Sequence, residues 1–347
     1  MLKSLSVTTR SIGSAAVLAL AIAFAGCTSE QQATNSSPNT TSSPSPTSAT
    51  EEKPNVVAIN SVLCDITEKI AQDTVDLTCL IPAGTDPHAY QVKPSDRKAI
   101  EQANLILYNG YGFESDLIKL IEASKNSASK VAVGEIAVPK ALKAEEQEHE
   151  GEKKAKAEHE HGEFNPHVWH DANNGIRIVE TLRDNLKNVS PNNAATYTSN
   201  AEKMTRELTQ LDRWIKSQIN TIPVNQRKLV TNHEAMGYYA DAYDIPIEGA
   251  LQGISTDEKP TAGRVKELVD EIKQTDVPTI FTETTANPKL IETVAREAKV
   301  KVSDQELYAD GLGEKGTKAD TYEKMLIANT QAIVEGLGGN YTPFQPK

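Results

Sequence analysis

The sequence predicts an α/β protein of two lobes, each a mainly parallel sheet flanked by helices, with one long backbone helix joining them. Three observations predict it. Short apolar runs of strand character alternate with stretches whose apolar residues recur at helical spacing, the pattern of parallel sheets covered by helices. The alternation occurs twice, and the roughly 290 residues beyond the leader and the tether suffice for two ordinary domains. Between the two series lies a stretch, 190–222, with few breakers and a single apolar stripe.

Taken in order, residues 1–26 carry Lys3 and Arg10 and then an apolar run from Ala15 to Ala25. A basic start, an apolar core short for a bilayer and small residues before a break describe a secretory signal, a membrane span being the alternative. Phe24-Ala25-Gly26-Cys27 resembles a bacterial lipobox, with Phe24 where leucine is usual. That likeness implies lipidation of Cys27 and attachment to a membrane. Residues 27–54 are Ser, Thr, Pro, Asn and Gln with almost no large apolar side chain, the composition of a disordered tether. Loss of Lys3 and Arg10 takes the formal charge from −12 to −14. An acidic body argues against nucleic acid as a partner and favours cations.

The N-terminal lobe is expected over 55–189. Its strands fall at Asn55–Val62, Val75–Ile81, Leu105–Asn109 and Lys130–Val133, with helical spacing at Asp65–Gln72 and Pro94–Gln102. Ser190-Pro191 then reads as a helix start. The helix that follows, with Met204, Leu208, Leu211, Trp214, Ile215 and Ile219 as its apolar stripe, would run ~45 Å at 1.5 Å per residue. One stiff helix predicts small lobe motions rather than a wide hinge. The C-terminal lobe, 223–347, has strand-like runs at Lys228–Thr231, Ile245–Glu248, Thr279–Thr282 and Lys299–Ser303, with helices expected at Gly263–Gln274 and Pro288–Ala298.

Seven histidines punctuate this plan. His149, His159 and His161 lie in an acidic tract, 145–163, that alternates imidazole with glutamate and reads as a metal-collecting segment, the alternative being a solvated charged loop. His88 follows the second strand in a turn-rich loop, and His233 follows the strand Lys228–Thr231. In open α/β sheets ligands gather beyond the carboxyl ends of strands. For either histidine alone a satisfied core imidazole is the alternative, and the joint placement of one in each lobe argues against mere core filling. Cys64 and Cys79 form an even pair in an exported chain and are a disulfide candidate, with two buried free thiols as the alternative.

Five segments carry a family resemblance: IPAGTDPHAY, NPHVWHD, LVTNHEAMGYYADAYDI, IFTETTANPKLIETVAREAKVKV and LYADGLGEKGTKADTY. In this order and spacing they resemble the zinc- and manganese-binding lipoproteins of ABC importers, the cluster 9 (A-I) solute-binding family that includes the TroA-like proteins. The resemblance runs from Asn55 to the C-terminus. It implies two α/β lobes on a long helix, one metal in the cleft, a monomer, and an ABC transporter permease as partner. It implies the metal ligands His88, His167, His233 and Asp310, with His233 rather than Glu234 at the position where many manganese binders carry glutamate. Glu283 and His170 become candidate partners of the ligands, His170 without touching the metal.

Three imidazoles and one carboxylate suit Zn2+ at four-coordination, with Mn2+ the alternative cargo. The long His/Glu loop, which accompanies zinc-type members, points the same way. Four protein ligands leave no open position, which argues against catalysis, and the sequence holds neither HExxH nor GxSxG. A metal-dependent hydrolase and an adhesion lipoprotein with a structural metal are the competing classes, and zinc capture for an importer is the expected function.

Overall fold

The computed structural model describes residues 52–144, 163–257 and 259–346. The leader, Cys27, most of the tether and the tract holding His149, His159 and His161 lie outside the described residues.

The apolar run expected as one strand over Asn55–Val62 divides. Strand β1 spans Asn55–Ala58, and Asn60 turns the chain into helix α1, Ser61–Ala71. The Asn60 carboxamide accepts from the Leu63 N–H at 3.0 Å, satisfying one of the donors that a helix start leaves open. Val62, Leu63, Ile66 and Ile70 then bury one face at a spacing that only a helix meets.

β1 is an inner strand of a four-stranded parallel sheet ordered β2–β1–β3–β4, with β2 at Asp76–Cys79, β3 at Leu105–Tyr108 and β4 at Ser129–Ala132. Val56 pairs with Leu77 on one side and Leu105 on the other. The connecting helices are α1, α2 (Pro94–Gln102) and α3 (Ser115–Ala123), and the short α4 (Val133–Ala137) follows β4. Cys64 on α1 is bonded to Cys79 at the end of β2, their Cα atoms 5.8 Å apart.

The second half is less continuous than expected. In place of one sheet there are two parallel pairs, β5 (Leu229–His233) with β6 (Ile247–Gln252), and β7 (Thr279–Ile280) with β8 (Lys301–Val302). The Phe281 N–H donates to the Val230 carbonyl at 2.9 Å and joins the pairs edge to edge.

Two long helices lie between the halves where one was expected. Helix α5 (Ala172–Val189) has no counterpart in the sequence reading. A tight turn at Pro191–Asn193 separates it from α6 (Ala194–Ile219), whose 26 residues measure ~39 Å. The second half adds α7 (Gly237–Tyr243), α8 (Ala262–Thr275), α9 (Pro288–Ala298) and α10 (Tyr322–Gly336). Met204, Leu208, Leu211, Ile215 and Ile219 are buried along α6 as expected. Trp214 is only half-buried, because it leaves the stripe to pack on Tyr341 and Phe344 and to donate its Nε1–H to the Thr342 carbonyl at 3.0 Å. One apolar core includes Val56 and Leu105 of the first sheet, Ile178 and Leu182 of α5, Leu208 of α6, Ile333 of α10 and Leu229 of β5. Smaller cores lie on the other face of the first sheet and under α8 and α9.

Candidate metal centre

Four side chains from distant parts of the chain converge: His88, His167, His233 and Asp310. One donor atom from each lies within 4.8 Å of all the others. The His167 Nε2 stands 3.3 Å from His88 Nε2 and 3.3 Å from His233 Nε2. Asp310 Oδ1 stands 3.0 Å from His233 Nε2, 3.2 Å from His167 Nε2 and 3.4 Å from His88 Nε2. His167, His233 and Asp310 have side chains 0 % exposed, and His88 is 5 % exposed, which puts His88 on the solvent side of the group.

Each side chain is aimed by local chemistry. His88 sits in the loop after β2, where the Asp86 carboxylate accepts the His88 backbone N–H at 2.9 Å. Gly84 turns the same loop at a φ of +76°, which favours glycine, and its N–H donates to the Leu312 carbonyl at 2.9 Å. His167 precedes α5. Asn165 Oδ1 takes both the backbone N–H of His167 at 3.0 Å and its ring Nδ1–H at 2.9 Å. His233 ends β5, and Glu283 Oε2 lies 2.5 Å from its Nδ1 while Oε1 accepts the N–H groups of Asn232 and His233 at 3.0 and 3.1 Å. With Nδ1 engaged on Asn165 or Glu283, the Nε2 atoms of His167 and His233 face the centre of the group, the outer-shell arrangement usual behind metal-ligating histidines. Asp310 Oδ2 accepts from the Thr285 hydroxyl at 2.8 Å, leaving Oδ1 toward the imidazoles.

Burial is the dominant influence on His167 and drives it down to about 3, so its ring is neutral. Burial also acts to lower His233, but the carboxylates of Asp310 and Glu283 on its two ring nitrogens together outweigh it and hold it well above the ordinary value. For Asp310, burial would raise the carboxyl, and His233 with the bonds from His167 and His88 overcomes it and keeps the group ionised.

His170 does not join the group. Its Nε2–H reaches the Ala309 carbonyl at 2.7 Å, beside Asp310, and burial pushes the ring down to about 4. Glu234 does not join it either. Its backbone N–H donates to the Gly253 carbonyl, and its own carbonyl accepts from Asn165 Nδ2 at 2.7 Å. Sequence reasoning missed Asn165, Thr285 and Phe113, whose ring packs against His88 and His167 at centroid distances of 4.9 and 5.4 Å. Asn165 was legible: Asp86-Pro87-His88 and Asn165-Pro166-His167 are the same pattern, an Asx residue capturing the N–H two positions on.

This nitrogen-rich, buried set of four potential donors, drawn from both halves of the α/β fold, could hold a metal ion. The chain belongs to the family described as ZnuA, zinc-uptake complex component A, periplasmic, which matches residues 56–336. That family comprises substrate-binding proteins of ABC importers and not enzymes. Among its relatives, the manganese ABC transporter substrate-binding lipoprotein PsaA of Streptococcus mitis is 33 % identical over 293 residues, covering 83 % of this chain and 91 % of that protein. The manganese-binding lipoprotein MntA of Halalkalibacterium halodurans is 32 % identical over 322 residues, covering 92 % and 96 %. The periplasmic zinc-binding protein TroA of Treponema pallidum superposes with a TM-score of 0.73 at 31 % identity, covering 82 % of this chain and 99 % of TroA.

Proposed function

We propose that this protein captures Zn2+ between halves 55–189 and 223–347 and delivers it to the membrane permease of an ABC importer. His88, His167 and His233 supply Nε2 and Asp310 supplies Oδ1. The donor set carries the reading. Four ligand atoms at ~2.0–2.1 Å from a tetrahedral zinc stand ~3.3–3.4 Å apart, and the five donor separations that involve His167 or Asp310 are 3.0–3.4 Å. Three imidazole nitrogens and one carboxylate suit a borderline-soft ion, and the affinity order favours zinc over manganese at such a site. Glu283 orients His233 from behind.

Mn2+ is the second reading, favoured by the names that PsaA and MntA carry. Against it, manganese prefers oxygen ligands in greater number than this group offers. Cys27 lipidation would hold the monomer at the outer face of a membrane, and the tract at 145–163, through His149, His159 and His161, would bind further zinc weakly. Competitive titration with zinc and manganese in one buffer, wild type against His233→Ala, tests the reading. The expected result is one tight equivalent of zinc in the wild type and its loss in the variant. Tight zinc binding that survives His233→Ala, or a preference for manganese, would overturn it.

A further inference from the structure

Asp86 does more than order its own loop. Its Oδ1 accepts the His88 N–H, and its Oδ2 accepts the Thr256 hydroxyl at 2.6 Å, from the loop that follows β6 in the other half. Thr256 is tied back in turn, because the Gln252 side chain donates to its carbonyl at 3.0 Å, and Gln252 is the residue that pairs with His233 across β5 and β6. A continuous path therefore runs from the His88 ligand through Asp86, Thr256 and Gln252 to the strand that carries the His233 ligand. It runs past His88, whose side chain is the most exposed of the group.

We infer that Asp86 and Thr256 are positioning residues that latch the His88 loop to the opposite half and set the rate at which the captured ion is released. The inference rests on the capture reading above and adds to it the step that permits transfer. The three buried donors are held by Asn165, Glu283 and Thr285 within well-packed surroundings, so departure of the ion begins with His88 swinging outward. The Gly84 N–H to Leu312 bond holds the start of that loop, and the Asp86–Thr256 bond holds it two residues before the ligand. A hydrogen bond to a carboxylate is worth enough to change a dissociation rate by roughly tenfold, and differences of this kind are expressed mostly in the off-rate.

The test is a stopped-flow chelator chase on the full chain loaded with one equivalent of zinc, with the association rate measured in parallel. Thr256→Val should raise the release rate by roughly tenfold with the association rate unchanged. Thr256→Ser, which keeps the hydroxyl, should release at the wild-type rate. In an Asp86→Ala background Thr256→Val should add nothing further. Wild-type release from Thr256→Val would overturn the latch, as would loss of the site in both Thr256 variants, which would make the residue merely structural. Absence of zinc binding in the wild type would instead sink the capture reading itself.

Discussion

Replacing Glu114 with glutamine isolates the free-energy cost of a buried acid that supports the centre from behind. Glu114 is 1 % exposed and follows Phe113, the ring that packs on His88 and His167. Its Oε1 accepts from Asn60 Nδ2 at 2.6 Å and from the Asn109 N–H at 3.4 Å, while Oε2 has no hydrogen-bond partner among the described residues. Burial pushes the carboxyl from 4.5 up to about 7, against the two asparagine bonds, which favour the ionised form. Below pH 4.5 both the folded and the unfolded chain hold the proton, and the acid costs nothing. Between 4.5 and 7 the unfolded chain has lost its proton and folding takes one up, so stability falls by about 1.4 kcal/mol per pH unit. Above 7 the full cost, on the order of 3 kcal/mol, remains. Glutamine keeps the Oε1 acceptor but places an amide NH2 at the unpartnered position, an offset of ~1–3 kcal/mol that does not change with pH. The observable is therefore the pH dependence of the difference. Urea unfolding in the presence of a chelator should show Glu114→Gln gaining about 3 kcal/mol on the wild type between pH 4.5 and 7.5. Parallel stability curves for the two proteins would refute the reasoning.

Other outcomes follow from the same structure. Glu283→Gln, which weakens the hold on His233 Nδ1, should lower zinc affinity by 10- to 100-fold with stoichiometry kept at one, measured by competition against a chromophoric chelator. Asn165→Ala frees the His167 ring in the same way and should cost a similar ~10-fold or more, whereas an unchanged affinity would show that burial alone orients the ring. Unfolded, unreduced mature protein should titrate no side-chain thiol at Cys64 and Cys79, and Cys79→Ser should lower stability by about 3 kcal/mol, the chain-entropy value for a loop of this length. Deleting 145–163 should lower the total zinc bound but leave one tight equivalent, as read by equilibrium dialysis.

The parts of the fold that could be read in the sequence were those in which local pattern and tertiary need coincide. Pro94–Gln102 and Pro288–Ala298 begin with proline at the first helical turn and occupy the residues expected. Asn55–Val62 reads as one strand because its apolar run hides the switch from period two to period 3.6, and Asn60 is the residue that marks it. Helix α5 escaped because it opens on Ala172-Asn173-Asn174-Gly175, which reads as loop. There Asp171 captures the Asn173 N–H at 2.8 Å, and Gly175 is required because a Cβ would lie 2.2 Å from the Tyr322 hydroxyl. The centre was legible through its histidines and the family motifs, which already set His170 and Glu234 outside it, whereas the distant Ala309 carbonyl that engages His170 is revealed by no local pattern.

The core shared by α1, α5, α6 and α10 bears on how the protein can be dissected and assayed. Cutting after Val189 would strand Ile178, Val179, Leu182 and Leu186 in water, so neither half is an autonomous folding unit and separated halves should be insoluble. Residues Glu51–Lys347 form one unit, and unfolding should be a single transition with every ligand of the centre lost at once. Binding free energy then appears undiluted as resistance to heat, about 2.7 kcal/mol for an ion at a hundred times its dissociation constant. A melting curve thereby becomes a calibrated meter of cargo affinity, able to rank metals and variants without any spectroscopic signal from the ion.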